Sequence, residues 1–126
     1  MPKTDRRNKT LMKYKFICPI FRIEVRLYVG DKKKLKVDWL YEDCYCALTD
    51  TVTKDNGVLE YIIVWVEKEN DYNSMVHETV HLTKRIFKMM GIPFNETNDE
   101  IIAYYQGYWV RMFWNKMCKG IKENKV

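Results

Sequence analysis

No stretch of this sequence stays apolar for the roughly 18–20 residues that a membrane span requires, because Glu, Lys or Arg interrupts every candidate. The chain is therefore expected to be soluble. No secretory leader is expected, because the apolar run over residues 16–21 is short and broken by Pro19. Cysteine is sparse and unpatterned. Cys18, Cys44, Cys46 and Cys118 include no Cys-x-x-Cys pair, and Cys44-x-Cys46 alone is too little for a zinc site. Free thiols in a reducing, cytoplasmic compartment are the expectation. Internal repeats and low-complexity segments are absent. Histidine is scarcer still, with only His77 and His81 in the chain.

What is present describes one globular domain. The 126 residues are 47% hydrophobic and 14% aromatic, more than a solvated chain needs. The formal net charge is +5, and much of the basic excess lies in residues 3–15 and 32–36. These stretches read as a solvated arm and a charged turn. No aromatic residue interleaves with the lysines of 32–36, so a nucleic-acid partner is not favoured. Nothing specifies an oligomeric state.

Residues 1–12 are polar, basic and aperiodic, which predicts a flexible arm before a single domain over 13–126. Residues 14–29 are rich in β-branched and aromatic types; Phe21, Ile23, Val25, Leu27 and Val29 alternate with polar neighbours, as in a half-buried strand. Further strands are expected over 35–39 and 43–49. Asp55-Asn56-Gly57 tolerates positive φ and predicts a hairpin whose second arm, residues 58–67, is the strongest strand pattern.

The period then changes. Val76, Val80, Thr83, Phe87 and Met90 recur at three and four residues, which predicts an amphipathic helix over 73–90, ended by Gly91 and Pro93. Thr97-x-x-Glu100 fits a capping box for a second, largely buried helix over 97–119. Met75, Met89, Met90 and Met112 beside Phe87 and Phe113 are assigned to packing. The expected class is α+β: a small antiparallel sheet on one helix, with a second long helix behind it.

Inside the first predicted helix stands His77-Glu78-Thr79-Val80-His81. Residues four apart are neighbours on one helix face, so two imidazoles can approach one metal ion from adjacent turns. Glu78 then reaches a water at the metal, takes its proton and passes it to a leaving amine. The rival account has the two histidines packing or bonding locally without a metal. A purely structural site would have no use for Glu78.

A catalytic zinc takes three protein ligands, and no third histidine exists. A carboxylate is therefore required, with Glu96, Asp99 and Glu100 as candidates. The first helix runs on about 13 Å past His81 at 1.5 Å per residue, so a tight helix hairpin would leave Glu100 distant. An extended return over 91–96, with Pro93 disfavouring helix at Ile92, would start the second helix beside the metal. Glu100 is the first choice of ligand, against a role as cap for Thr97, and Glu96 the second. Tyr104 and Tyr108 fall on roughly the same face as Glu100; Tyr104 is the candidate for stabilising a transition state, against ordinary packing.

HExxH followed by a glutamate on a second helix resembles the gluzincin branch of zinc metallopeptidases. Residues 76–108, about a quarter of the chain, more closely resemble small metallopeptidase-like proteins encoded by bacteriophages, through His77 to His81, Gly91-Ile92, Glu100-Ile101-Ile102-Ala103-Tyr104 and Gly107-Tyr108. The resemblance implies a minimal zincin-like fold, one zinc held by His77, His81 and Glu100, and Glu78 as base. It also implies a peptide or protein substrate bound edge-on to a strand before the helix, the place of residues 58–67, and residence in a host cytoplasm or virion. The chain departs from larger gluzincins in lacking a second domain. From a different class comes the alternative of a catalytically silent, zinc-stabilised interaction protein, such as a phage structural or modulator component. A protease carried to nucleic acid by the basic arm is a third, weaker idea.

Overall fold

The computed structural model describes residues 11–31, 33, 35 and 46–124, with side chains to residue 118. Among these residues, four strands and two α-helices follow in order: β1 (Met12–Ile17), β2 (Glu24–Val29), β3 (Ala47–Thr53), β4 (Leu59–Val66), α1 (Tyr72–Met89) and α2 (Asp99–Asn124), the last preceded by a 3₁₀ turn at Glu96–Asn98. The class is α+β, as expected. Residues 1–10 of the arm expected over 1–12, most of the strand at 35–39, the lysines at 32, 34 and 36, and Cys44 lie outside the described residues, while Met12 opens β1.

The single strand anticipated over 14–29 is two. Pro19 has no N–H to give a ladder, and Ile20 and Arg22 take φ of 68° and 60°, which turns the chain back. Cys18 N–H then donates to the Ile23 carbonyl at 2.8 Å and Arg22 N–H to the Cys18 carbonyl at 2.9 Å. This sets Phe16 opposite Val25 and Met12 opposite Val29 in an antiparallel pair. Strand β3 pairs antiparallel with β4 through a turn where Gly57 has φ 83°, and residues 43–45 of the strand expected over 43–49 lie outside the described residues.

The sheet order is β1-β2-β4-β3, and β2 runs parallel to β4. The expectation of a wholly antiparallel sheet is thus corrected to a mixed one. Nearest-neighbour hairpins can be read from turn residues, whereas the placement of β4 between β2 and β3 is a choice made by long-range packing. Strand β4 is consequently interior. Its Ile62, Val64 and Val66 join Val25, Leu27 and Val29 on the helix-facing side, while Ile63 and Trp65 form a smaller cluster on the other. A strand buried on both faces reads as a continuous apolar run.

Helix α1 starts where the Asp71 side chain accepts the Ser74 N–H at 3.0 Å. Two bonds from Ser74, by its hydroxyl and its N–H, hold the Asp71 carboxyl below its ordinary value. A depressed carboxylate stabilises the fold above its unfolded pKa and loses that contribution as pH falls through the folded one. Asp71→Ala is expected to cost about 1 kcal/mol at neutral pH. In denaturant titrations the gap to wild type should close in acid. The helix ends in a Schellman arrangement, with Gly91 at φ 69°, Ile92 N–H on the Phe87 carbonyl at 2.9 Å and Gly91 N–H on the Lys88 carbonyl at 3.2 Å.

In place of the anticipated Thr97/Glu100 capping box, Asn95 caps the 3₁₀ turn that leads into α2, its side chain accepting the Thr97 N–H at 3.1 Å. Tyr105, Trp109, Phe113 and Met117 recur at four residues and are fully buried with Met75, Leu82, Ile86 and Phe87 of α1. Trp109 meets Phe16 edge-on at 6.2 Å, coupling α2 to the sheet. Trp109→Ala is expected to destabilise by about 3–5 kcal/mol in urea unfolding. No helix among the described residues is long and apolar enough to cross a membrane.

Candidate metal centre

Helical spacing brings the two histidines together as the sequence implies. His77 Nε2 and His81 Nε2 lie 3.1 Å apart, with ring centroids 4.9 Å apart, and both side chains are exposed. Two nitrogens bound at about 2.0–2.1 Å to one tetrahedral ion would stand roughly 3.3 Å apart. The observed separation fits a shared metal. It fits equally one neutral imidazole donating its Nε2–H to the other, whereas a shared metal requires a lone pair on both Nε2 atoms.

Glu78 completes the group: one ligand atom from each of His77, Glu78 and His81 lies within 4.8 Å of the others. Unlike the histidines, Glu78 is only 6% exposed. A carboxylate so enclosed requires hydrogen bonds. Its Oε1 accepts from Thr49 Oγ1 at 2.7 Å, a contact between α1 and β3 across 29 positions of sequence. This His-Glu-His group can hold a metal ion.

The group opens into a cavity of about 620 Å³ between β3 and α1, lined by Cys46 and residues 47–49 of the strand and by Ser74, His77, Glu78, His81 and Arg85 among those on the helix. Cross-links run along both elements. Cys46 Sγ lies 3.6 Å from Ser74 Oγ, Thr49 bonds Glu78, and Arg85 Nη1 donates to Thr51 Oγ1 at 2.9 Å while facing Asp50 at 3.6 Å. Cys46, Thr49 and Arg85 carry no motif. The alternation of β3 was the available signal, but it does not say which helix face the strand meets.

Among the described residues, strand β3, not residues 58–67, is the strand beside the site with a free edge. The expectation that 58–67 would receive a peptide is corrected, because β4 is bonded on both sides, to β2 and β3. The described cysteines Cys18, Cys46 and Cys118 are free thiols, as expected.

The carboxylates of the second helix are not brought to the histidines. Glu96, Asp99 and Glu100 are exposed and stand outside the metal-capable group. Two features of the packing explain this. Helices α1 and α2 run antiparallel, Tyr72 meeting Trp114, Gln106 Nε2 donating to Thr79 Oγ1 at 2.7 Å, and Phe87 meeting Tyr105. Glu100 lies six residues before Gln106, about 9 Å along the axis, toward the far end of α1. The contact face matters too: Thr79 is two residues from each histidine, about 200° round the helix, so α2 packs behind the pair.

Residues 92–95, between the Schellman turn and the 3₁₀ turn, are non-helical, with Asn95 extended, but this connection does not bring the start of α2 to the histidines. Asp99 and Glu100 occupy the first turn of α2, where negative charge complements the helix dipole. Tyr104 is 58% exposed, stacks edge-on against Tyr105 and does not line the cavity, whereas Tyr105 beside it is fully buried. Comparison of the chain with protein-family models, with curated proteins and with solved structures finds no match.

Proposed function

We propose that the protein is a zinc-dependent hydrolase of peptide bonds, with His77 and His81 holding the ion and Glu78 as general base. The observation that carries this reading is the combination of two Nε2 atoms 3.1 Å apart with a buried carboxylate beside them, tied by one oxygen only to Thr49 among its described partners. Zinc suits two imidazoles, and when bound it supplies Lewis acidity that makes water a nucleophile near neutral pH. Glu78 accepts the proton of the attacking water and returns it to the departing amine. The free edge of β3 offers backbone groups to an extended peptide, which would lie in the cavity over the histidines.

Elemental analysis and a peptide-cleavage assay on the purified protein test the reading. One zinc per chain and metal-dependent cleavage of an unfolded protein substrate are expected; a metal-free protein that stays inactive on zinc addition would sink it. With Glu100 outside the group, the ion lacks the third protein ligand of an ordinary catalytic zinc, so the second reading is a metal-binding interaction protein that cleaves nothing. Stoichiometric zinc without cleavage would select that alternative.

A further inference from the structure

Among the described residues, Thr49 is one of four buried polar or charged side chains, with Glu78, Thr79 and Thr83, and the only one of them on the sheet. Thr79 and Thr83 are accounted for by α1 itself, their hydroxyls donating to the Val76 and Thr79 carbonyls at 2.7 and 2.9 Å. Thr49 has no such local partner. Its Oγ1 lies 2.7 Å from Glu78 Oε1 and 3.2 Å from the Glu78 carbonyl oxygen. A hydroxyl has one proton to give, and both neighbours are acceptors. The shorter distance and the charge of the carboxylate assign the proton to Oε1, in the range of a charge-assisted bond.

We infer that Thr49 is a positioning residue: its hydroxyl holds one oxygen of Glu78 so that the other is presented to the His77–His81 pair. The inference rests on the proposed hydrolase reading for its catalytic consequence. A glutamate side chain has three rotatable bonds, and a helix anchors only its Cα. The bond from β3 selects one rotamer without donating anything into the cavity. A base must stand within hydrogen-bond reach of the proton it takes, and displacement of about 1 Å is enough to cost activity on the order of a hundredfold. Because Thr49 belongs to the strand with the free edge, a peptide pairing along β3 would bear on the residue that aims the base.

Three variants test this. Thr49→Val keeps the volume and strand preference and removes the hydroxyl; Thr49→Ser restores it; Glu78→Met removes the acceptor. In metal-free protein, Thr49→Val should raise the unfolding constant in urea about tenfold or more in the wild-type background and change it little beside Glu78→Met. In zinc-loaded protein, Thr49→Val should lower kcat at least about tenfold with KM and zinc content unchanged, and Thr49→Ser should recover most of the loss. Thr49→Ala is read the same way if the valine variant does not fold. Additive unfolding effects, or an unchanged kcat in a working hydrolase, would overturn the inference. Wild-type protein that binds zinc but cleaves nothing overturns the hydrolase reading instead, and the metal-free cycle then decides by itself whether Thr49 holds Glu78.

Discussion

His77→Ala is expected to lose bound metal altogether, whereas Glu100→Ala is expected to keep it. Removing His77 takes away one of the two nitrogens that converge at 3.1 Å, and a lone exposed imidazole is a weak site. The loss should exceed the roughly 10–100-fold that an outer-shell change costs in metal affinity. Thermal unfolding reads the same event independently. A ligand at 100 times its Kd stabilises the folded state by about 2.7 kcal/mol, so zinc should raise the Tm of wild type and leave His77→Ala unmoved. Glu100 is exposed on the first turn of α2, outside the metal-capable group, and its removal should cost at most the few tenths to 1 kcal/mol of a helix-dipole charge. Loss of zinc from Glu100→Ala would show instead that binding draws the first turn of α2 toward His81.

Glu78→Gln separates ligand from base, the two uses open to the third member of the group. Glutamine keeps the length of the side chain and an oxygen for the Thr49 hydroxyl but cannot take a proton. If Glu78 is the base, zinc content stays at the wild-type level while kcat falls about 10²–10⁴-fold. If Glu78 is a ligand, the metal leaves with the activity. Its side-chain exposure of 6% against the exposed histidines, and its bond to Thr49, support the first outcome.

The legible parts of this protein are local. Alternation in residues 24–29, the turn at 55–57, the apolar run over 59–66 and the three-and-four spacing over 72–89 each follow from the geometry of a few consecutive residues, and each appears within a few positions of where the pattern puts it. The approach of His77 to His81 belongs to the same category, because a helix brings residues four apart together whatever surrounds it. The break within 14–29 was less visible: Pro19 is in the sequence, but the positive φ of Ile20 and Arg22 is imposed by the fold.

Tertiary structure decided the rest. That β4 lies between β2 and β3, leaving β3 as the free edge beside the histidines, depends on pairings between strands far apart in sequence, for which apolar alternation is necessary but not selective. Thr49 meets Glu78 for the same reason, and no motif marks a threonine as the partner of a glutamate 29 residues away. Glu100 shows the converse. Its spacing from the histidines allows it to reach them, yet the bond of Gln106 to Thr79 and the burial of Tyr105, Trp109 and Phe113 set α2 behind the pair. The sequence by itself determined which elements form and which two imidazoles converge, since those are short-range consequences of helix and strand geometry. Which strand edges the cavity and which carboxylates face it were decided only when the two helices and the sheet buried their apolar faces together.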